Sequence, residues 1–297
     1  MNTTPNATIR ITSLASGSLT ETSHPLVSQV SANDNALLVT TPAHAAVAAI
    51  NHLLQSNRTQ VQPPVLVILT NGVLAVYDRL VQQFHREGTP LPPIILGSTT
   101  HGAYRQDPED HPYHIVHSGI GATLFGCPPT TDPRHPGVSR TLAALSAMTE
   151  LHTTMPLAWQ TLRRKLLLKL AINNSLNALT ALFHVRNGAL AASQEGRDLM
   201  RLLCDEMMLV PEMREGLEGI GSSDALLEQV VAVANATARN VNSMDAALIQ
   251  GRETEIDFLN GHVLRMADAH KISLPVHDII VKMVRFKSKQ QLKLLRL

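Results

Sequence analysis

Aromatic side chains are scarce in this sequence, 3% of 297 residues, and Trp159 is its sole tryptophan. Proteins that hold single-stranded nucleic acid use aromatic platforms for base stacking, so that class is disfavoured. An excess of one charge is also lacking: 25 Lys and Arg face 24 Asp and Glu, a formal net charge of +1. A protein built around a phosphate backbone carries a clear basic surplus, so no nucleic-acid partner is expected. The two cysteines, Cys127 and Cys204, are too few for a disulfide framework or a four-cysteine zinc site. No stretch reaches about 18 consecutive apolar residues, so no membrane-spanning helix is expected. The N-terminus lacks a basic start followed by an apolar run, so no secretory signal is expected. Between Met1 and Asn57 the only charged residues are Arg10, Glu21 and Asp34. Mitochondrial leaders carry several arginines, so a cytoplasmic location is expected, with the mitochondrion as the alternative.

What is present is enough apolar material, 44% of residues, to bury a sizeable core, in a length that suits two domains. Ala36–Thr40, Pro64–Thr70, Pro93–Gly97 and His114–His117 are short apolar, β-branched runs. Pro42–Gln55 and Val73–Glu87 have helical spacing, the second ending at Gly88. Strands alternating with helices at this interval predict a parallel α/β sheet. Pro128–Gly137 is dense in turn formers and marks the expected boundary between domains 1–137 and 138–297. Beyond it only helical periodicity remains, over Leu157–Ala171, Asn174–Phe183, Gly196–Met208, Asp224–Gln250, Glu255–His270 and Val276–Arg285. The expected fold class is α/β: a truncated Rossmann-like parallel sheet followed by an all-helical C-terminal domain.

Two stretches carry chemistry. In Lys165–Ala181, Lys169, Asn173 and Asn177 are spaced four apart, which places them within roughly 80° on one helix face. A lysine and two amides on a half-buried face can donate to an anionic or carbonyl-bearing ligand; they can also be a polar stripe satisfied by backbone. The second stretch runs from Asn240-Val-Asn-Ser243-Met to Gly251-Arg-Glu-Thr254-Glu255-Ile-Asp257 and on to Gly261. Thr254 has the character of an N-cap with Asp257 as its acidic partner, and Glu255 then falls in a first turn where the helix dipole favours its charge.

Taken together, KLAINNSLNALTA, the Asn187-Gly188 pair, NSM and GRETEIDFLNG, in that order, resemble the ketopantoate reductase family. The resemblance extends upstream through Thr70-Asn71-Gly72 and Gly97-Ser-Thr-Thr-His101-Gly-Ala103, and covers roughly residues 9–287. It implies reduction of 2-dehydropantoate to pantoate with NADPH, in pantothenate and coenzyme A synthesis. Position by position, it implies that Lys169 is the general acid and that Asn173, Asn177, Asn187 and Ser243 hold the substrate's hydroxyl and carboxylate. It implies that Glu255 lies between cofactor and substrate, and that Asn71 and Ala103 contact the cofactor. It also implies a small 2-keto acid as substrate, and pairing of helical domains as one route to a homodimer, another protein partner being the alternative.

One element of the pattern is missing. A dinucleotide site opens with a strand, a G-x-G-x-x-[GA] turn and a helix. Gly17 has no second glycine nearby, and Gly119-Ile-Gly121-Ala-Thr-Leu124 and Gly219-Ile-Gly221-Ser-Ser-Asp224 lack the third small residue. Ile9 onward resembles the family after its first β-α-β unit, which this sequence is therefore expected to lack. Pro42 stands where the family has a lysine that pairs with cofactor phosphate. The sheet is expected to close up, to recruit Ile9–Ile11 as a substitute strand, or to borrow one; the alternative, which the retained site residues favour, is that the sequence starts at an internal methionine or a wrongly chosen exon. An alternative to the reductase is an inactive pseudoenzyme acting as a binding or structural protein. His111, His114 and His117 form H-x-x-H-x-x-H, but the spacing matches no helical pair and no metal is expected.

Overall fold

The computed structural model describes residues 6–13, 19–25, 36–56, 63–106 and 114–294. Its strands are β1 (Asn6–Ser13), β2 (Leu19–Pro25), β3 (Ala36–Val39), β4 (Val65–Ile68), β5 (Ile94–Thr99), β6 (Gly102–Arg105), β7 (His114–Gly119) and β8 (Thr123–Gly126). Its helices are α1 (Ala43–Ser56), α2 (Val73–Glu87), α3 (Pro136–Ser146), α4 (Trp159–Phe183), α5 (Asn187–Ala192), α6 (Gln194–Leu209), α7 (Pro211–Gly216), α8 (Ser223–Ala236), α9 (Ser243–Ile249), α10 (Asn260–Ala269) and α11 (Pro275–Leu294). The chain forms two compact units. The first comprises Met1–Thr41, Ala48–Thr70 and Phe84–Leu162; the second comprises Pro42–Val47, Asn71–Gln83 and Arg163–Leu297. The starts of α1 and α2 thus belong with the helical unit, and the rest of each with the sheets.

In the first unit, β3, β4 and β5 run parallel, in that order, and β8 closes the far side antiparallel to β5. This is the expected α/β architecture. Every residue of β4 is buried, as a central strand requires. The core over it is Val65, Val67, Ile95, Phe125, Val138, Leu142 and Leu145. β3 buries only alternate residues, and Leu38 is exposed. Ile9–Ile11 are not recruited beside it. They lie in β1, which pairs antiparallel with β2 and parallel with β7 in a separate sheet completed by β6. Gly121, between β7 and β8, is closed in by the backbone of Thr100 and His101. A Cβ there would sit 2.4 Å from the Thr100 carbonyl carbon.

The second unit is helical around α4, whose Leu167, Ala171, Leu176 and Leu179 meet Met200, Leu203, Val230, Val263 and Val281 from four other helices. Three expected boundaries are corrected. The two helices expected over Leu157–Ala171 and Asn174–Phe183 are one 25-residue helix. The polar run does not break it, because Asn174 Nδ2 and Ser175 Oγ donate back to Leu170 O (2.8 Å) and Ala171 O (3.0 Å). By length and composition α4 could cross a membrane, but 67% of its apolar window is buried within the protein. Asp224–Gln250 is not one helix. It divides into α8 and α9, because Asn242 caps a new start by accepting from Met244 N (2.9 Å) and Asp245 N (3.0 Å). Glu255–His270 opens with a 3-10 turn, Ile256–Phe258, before α10. The Thr254–Asp257 capping pair does not form, since Asp257 Oδ1 accepts from the Arg285 guanidinium at 2.5 and 2.9 Å.

α11 begins on a buried carboxylate. Glu206 of α6 accepts from Val276 N (2.7 Å), His277 N (2.9 Å) and the fully buried His277 ring (2.8 Å). Burial opposes the charge, but the hydrogen bonds from the ring and the two amides outweigh it and hold the Glu206 carboxyl below its usual range. A carboxyl depressed in the folded state contributes stability above its unfolded value, and that contribution is lost as pH falls through the folded value. Glu206→Gln is therefore expected to destabilise the chain by about 2–4 kcal/mol at neutral pH, in urea melts. The difference from wild type should shrink in melts run below the carboxylate range; an equal difference at both pH values would refute the assignment.

Candidate active site

Lys169, Asn173 and Asn177 lie on successive turns of α4; Lys169 and Asn173 are half-buried and Asn177 is buried. Burial holds the Lys169 amine below the usual lysine range, and the charge of Glu255 opposes that shift. Glu255 itself does not sit in the first turn of its own helix, as expected. It precedes the 3-10 turn, and its Oε1 accepts from Ala43 N at 3.0 Å, at the N-terminus of α1. The dipole argument thus holds for a different helix. Pro42, which has no N–H, supplies the carbonyl that accepts from Ala45 N and Ala46 N.

Asn71 and Gly72 form the turn into α2. Gly72 has φ +63°, and the space a Cβ would fill is taken by Phe258 O (2.8 Å) and Phe258 Cβ (2.9 Å). The turn therefore lies directly on the 3-10 segment that follows Glu255. The Arg79 guanidinium stacks 3.8 Å from the centroid of the Phe258 ring. Behind it, His262 Nε2 of α10 is 3.7 Å from Asp78 Oδ2. Burial, with Arg265 and Arg79, pushes the His262 imidazole down to about 3, so it is neutral. Burial lifts the Asp78 carboxyl to about 6 against Arg265 and Arg163.

Asn187 opens α5 and is buried. Its Nδ2 donates to Thr237 Oγ1 (2.9 Å), its backbone N–H donates to Asn240 O (3.3 Å), and its Oδ1 is buried without a partner among the described residues. Ser243 is exposed at the start of α9, next to the capping Asn242. Within the second unit the charge of Glu255 acts on Lys169, and the Asn71 turn lies on the segment after Glu255. Ala103 is exposed on β6 of the first unit.

Of the histidine motif, His111 lies outside the described residues. His117 Nε2 is 3.0 Å from His101 Nδ1, which also accepts from Gly121 N (3.2 Å), while His101 Nε2 donates to Leu151 O (3.0 Å). Among the described residues no three His, Cys, Asp or Glu side chains are placed to share a metal ion. Two contributors were not singled out from sequence. Asn242 is legible afterwards as an N-cap asparagine before a helix. Ala43 offers only a backbone amide, which no side-chain pattern signals.

Comparison with known proteins identifies the family and the fold. Residues 9–130 match the family described as ketopantoate reductase PanE/ApbA, and residues 161–288 match its C-terminal part. The chain is 32% identical over 262 residues to the 2-dehydropantoate 2-reductase of Shigella flexneri, covering 87% of this chain and 76% of that one. Among solved structures it is similar in fold to a PanE/ApbA family ketopantoate reductase from Ralstonia eutropha (TM-score 0.71, 20% identity, 96% and 86% of the two chains). It is similar in fold, too, to D-mandelate dehydrogenase in complex with NADH (TM-score 0.71, 18% identity, 95% and 85%).

Proposed function

The chain belongs to the ketopantoate reductase family, and on that premise we propose that it binds 2-dehydropantoate and pantoate and serves the reduction of the first to the second. The observation that carries the reading is a half-buried Lys169, within the electrostatic influence of Glu255, on a helix face that also bears Asn173 and Asn177. A cationic amine close to the C2 oxygen stabilises the negative charge that builds there and then gives up its proton to form the hydroxyl. The charge of Glu255 favours the cationic form of that amine and works against the larger effect of burial. Asn173, Asn177, Asn187 and Ser243 supply the amide and hydroxyl groups that a carboxylate and a hydroxyl require.

The family's cofactor is NADPH, which supplies the hydride when bound. The described residues suit that cofactor poorly at its phosphate end. A pyrophosphate needs free backbone amides at a helix N-terminus behind a glycine turn. Here the first amide of α1 already holds the Glu255 carboxylate, Pro42 has no N–H to offer, and Gly121 is closed off by Thr100. Asn71 and Glu255, both in the second unit, remain the residues proposed for the nicotinamide end. The 297-residue chain is therefore proposed to bind the acid well and NADPH weakly.

Calorimetric titration of the whole chain, with pantoate and with NADPH separately, tests this. Heat from pantoate and none at micromolar NADPH is the expected result. Micromolar NADPH affinity would overturn the cofactor part, and no pantoate binding would overturn the reading itself. The second reading, a pseudoenzyme that binds the acid without turning it over, is favoured by the carboxylate seated on the α1 amide. It predicts pantoate binding with no oxidation of NADPH by 2-dehydropantoate at any cofactor concentration.

A further inference from the structure

Between Asn177 of α4 and Ser243 of α9 runs a short line of hydrogen bonds that the proposed chemistry does not use. Asn242, immediately before Ser243, donates from its Nδ2 to the Thr180 hydroxyl oxygen. Thr180 is fully buried on α4, and its hydroxyl hydrogen points to Leu176 O (2.8 Å) or Asn177 O (3.2 Å). A hydroxyl has one hydrogen to give and lone pairs to receive, so the order is fixed: Asn242 gives to Thr180, and Thr180 gives to the α4 backbone. Thr180 stands three residues after Asn177 and seven after Asn173, on the same helix face.

Starting α9 does not require this link. The cap is complete through the other end of the Asn242 carboxamide, whose Oδ1 accepts from Met244 N and Asp245 N. The nitrogen is left to fix something else, and what it fixes is the separation between the amide-bearing face of α4 and Ser243. A second tie lies just beyond it. His184, with φ +53° after the end of α4, holds Asp245 Oδ1 through its Nδ1 at 2.6 Å. Lys287 of α11 closes the same helix end by donating to Ala181 O (2.9 Å) and Leu182 O (2.7 Å).

We infer that Thr180 and Asn242 are positioning residues for the acid-binding site, setting the distance between Asn177 and Ser243 without touching the ligand. The inference rests on the reading that these two residues hold pantoate. A carboxylate and a hydroxyl on one small acid must be met at two places at once, and a displacement of about 1 Å at such a site costs up to roughly 10²-fold. Thr180→Val removes the hydroxyl and keeps the volume; Thr180→Ser restores it. Asn242→Asp keeps the cap oxygen and loses the donor.

The test is calorimetric titration of pantoate into the full-length chain and these variants, without NADPH, alongside thermal melts. Thr180→Val is expected to bind pantoate at least about tenfold more weakly, with Thr180→Ser within about twofold of wild type. Wild-type affinity in Thr180→Val would overturn the inference and leave the proposed function standing; absence of pantoate binding in the wild type would overturn both. Should Thr180→Val fail to fold, Asn242→Asp decides the matter. Weaker binding at an unchanged melting temperature upholds the link, and unchanged binding overturns it.

Discussion

Replacing Lys169 by alanine is expected to weaken pantoate binding by about 10- to 150-fold, the loss of one hydrogen bond to a charged group at about 1.5–3 kcal/mol. Oxidation of NADPH coupled to 2-dehydropantoate, measured at the highest usable cofactor concentration, should fall by roughly 10²- to 10⁴-fold, since a positioned proton donor is lost as well. The pH dependence follows from the amine's surroundings. Burial lowers the Lys169 value and Glu255 partly restores it. The cationic form that attracts a carboxylate is thus lost on raising the pH, at a lower pH than for a lysine in water. Pantoate affinity should accordingly fall on the alkaline side. In Glu255→Gln, where the restoring charge is gone, the fall should begin at lower pH still. An alkaline limb that stays in place in Glu255→Gln would show that the two charges are not coupled through the site, and would remove the reason for giving Lys169 the proton.

Lys169, Asn173 and Asn177 stand out in the sequence because they recur at a four-residue interval close to Leu166, Leu170 and Leu176. That spacing fits a polar stripe equally well, and the roles given to these residues come from the family resemblance. The strand around Val65–Ile68 and the helix Val73–Glu87 were equally plain, because a run of β-branched residues and a 3.6-residue period are local signals. What could not be read was decided at long range. The Thr254–Asp257 cap was a sound local expectation, but Arg285 lies 28 residues further on and takes the carboxylate. The break between α8 and α9 was hidden because apolar periodicity continues on both sides of it; only Asn242 as a cap marks the new start. Glu255 was expected to serve its own helix and instead serves α1, more than two hundred residues earlier in the chain. No spacing rule could reveal that pairing, which follows from tertiary packing alone.

Gly72→Ala is expected to be among the most damaging single substitutions in the helical unit, and for two separable reasons. A side chain at φ +63° costs of order 1–3 kcal/mol. The new Cβ would also meet Phe258 O at 2.8 Å and Phe258 Cβ at 2.9 Å, and overpacking of this kind typically costs a further 1–3 kcal/mol. A backbone oxygen cannot rotate away as the end of a flexible side chain can. Together these amount to about 2–6 kcal/mol, or a melting temperature lower by roughly 5–20 °C in a chain of this size. Gly88 supplies the control. It ends α2 with the same φ of +63° but has no atom within 4 Å of a built Cβ, so Gly88→Ala carries the backbone strain alone. Scanning calorimetry of the two variants therefore isolates the Phe258 contact as their difference. Relief of that contact would lift the Asn71 turn from the segment that follows Glu255, so the loss of stability in Gly72→Ala should be accompanied by weaker pantoate binding, whereas Gly88→Ala should bind as wild type does. Equal melting temperatures for the two variants would mean that the turn does not rest on Phe258, and that Asn71 and Glu255 are held in place independently of each other.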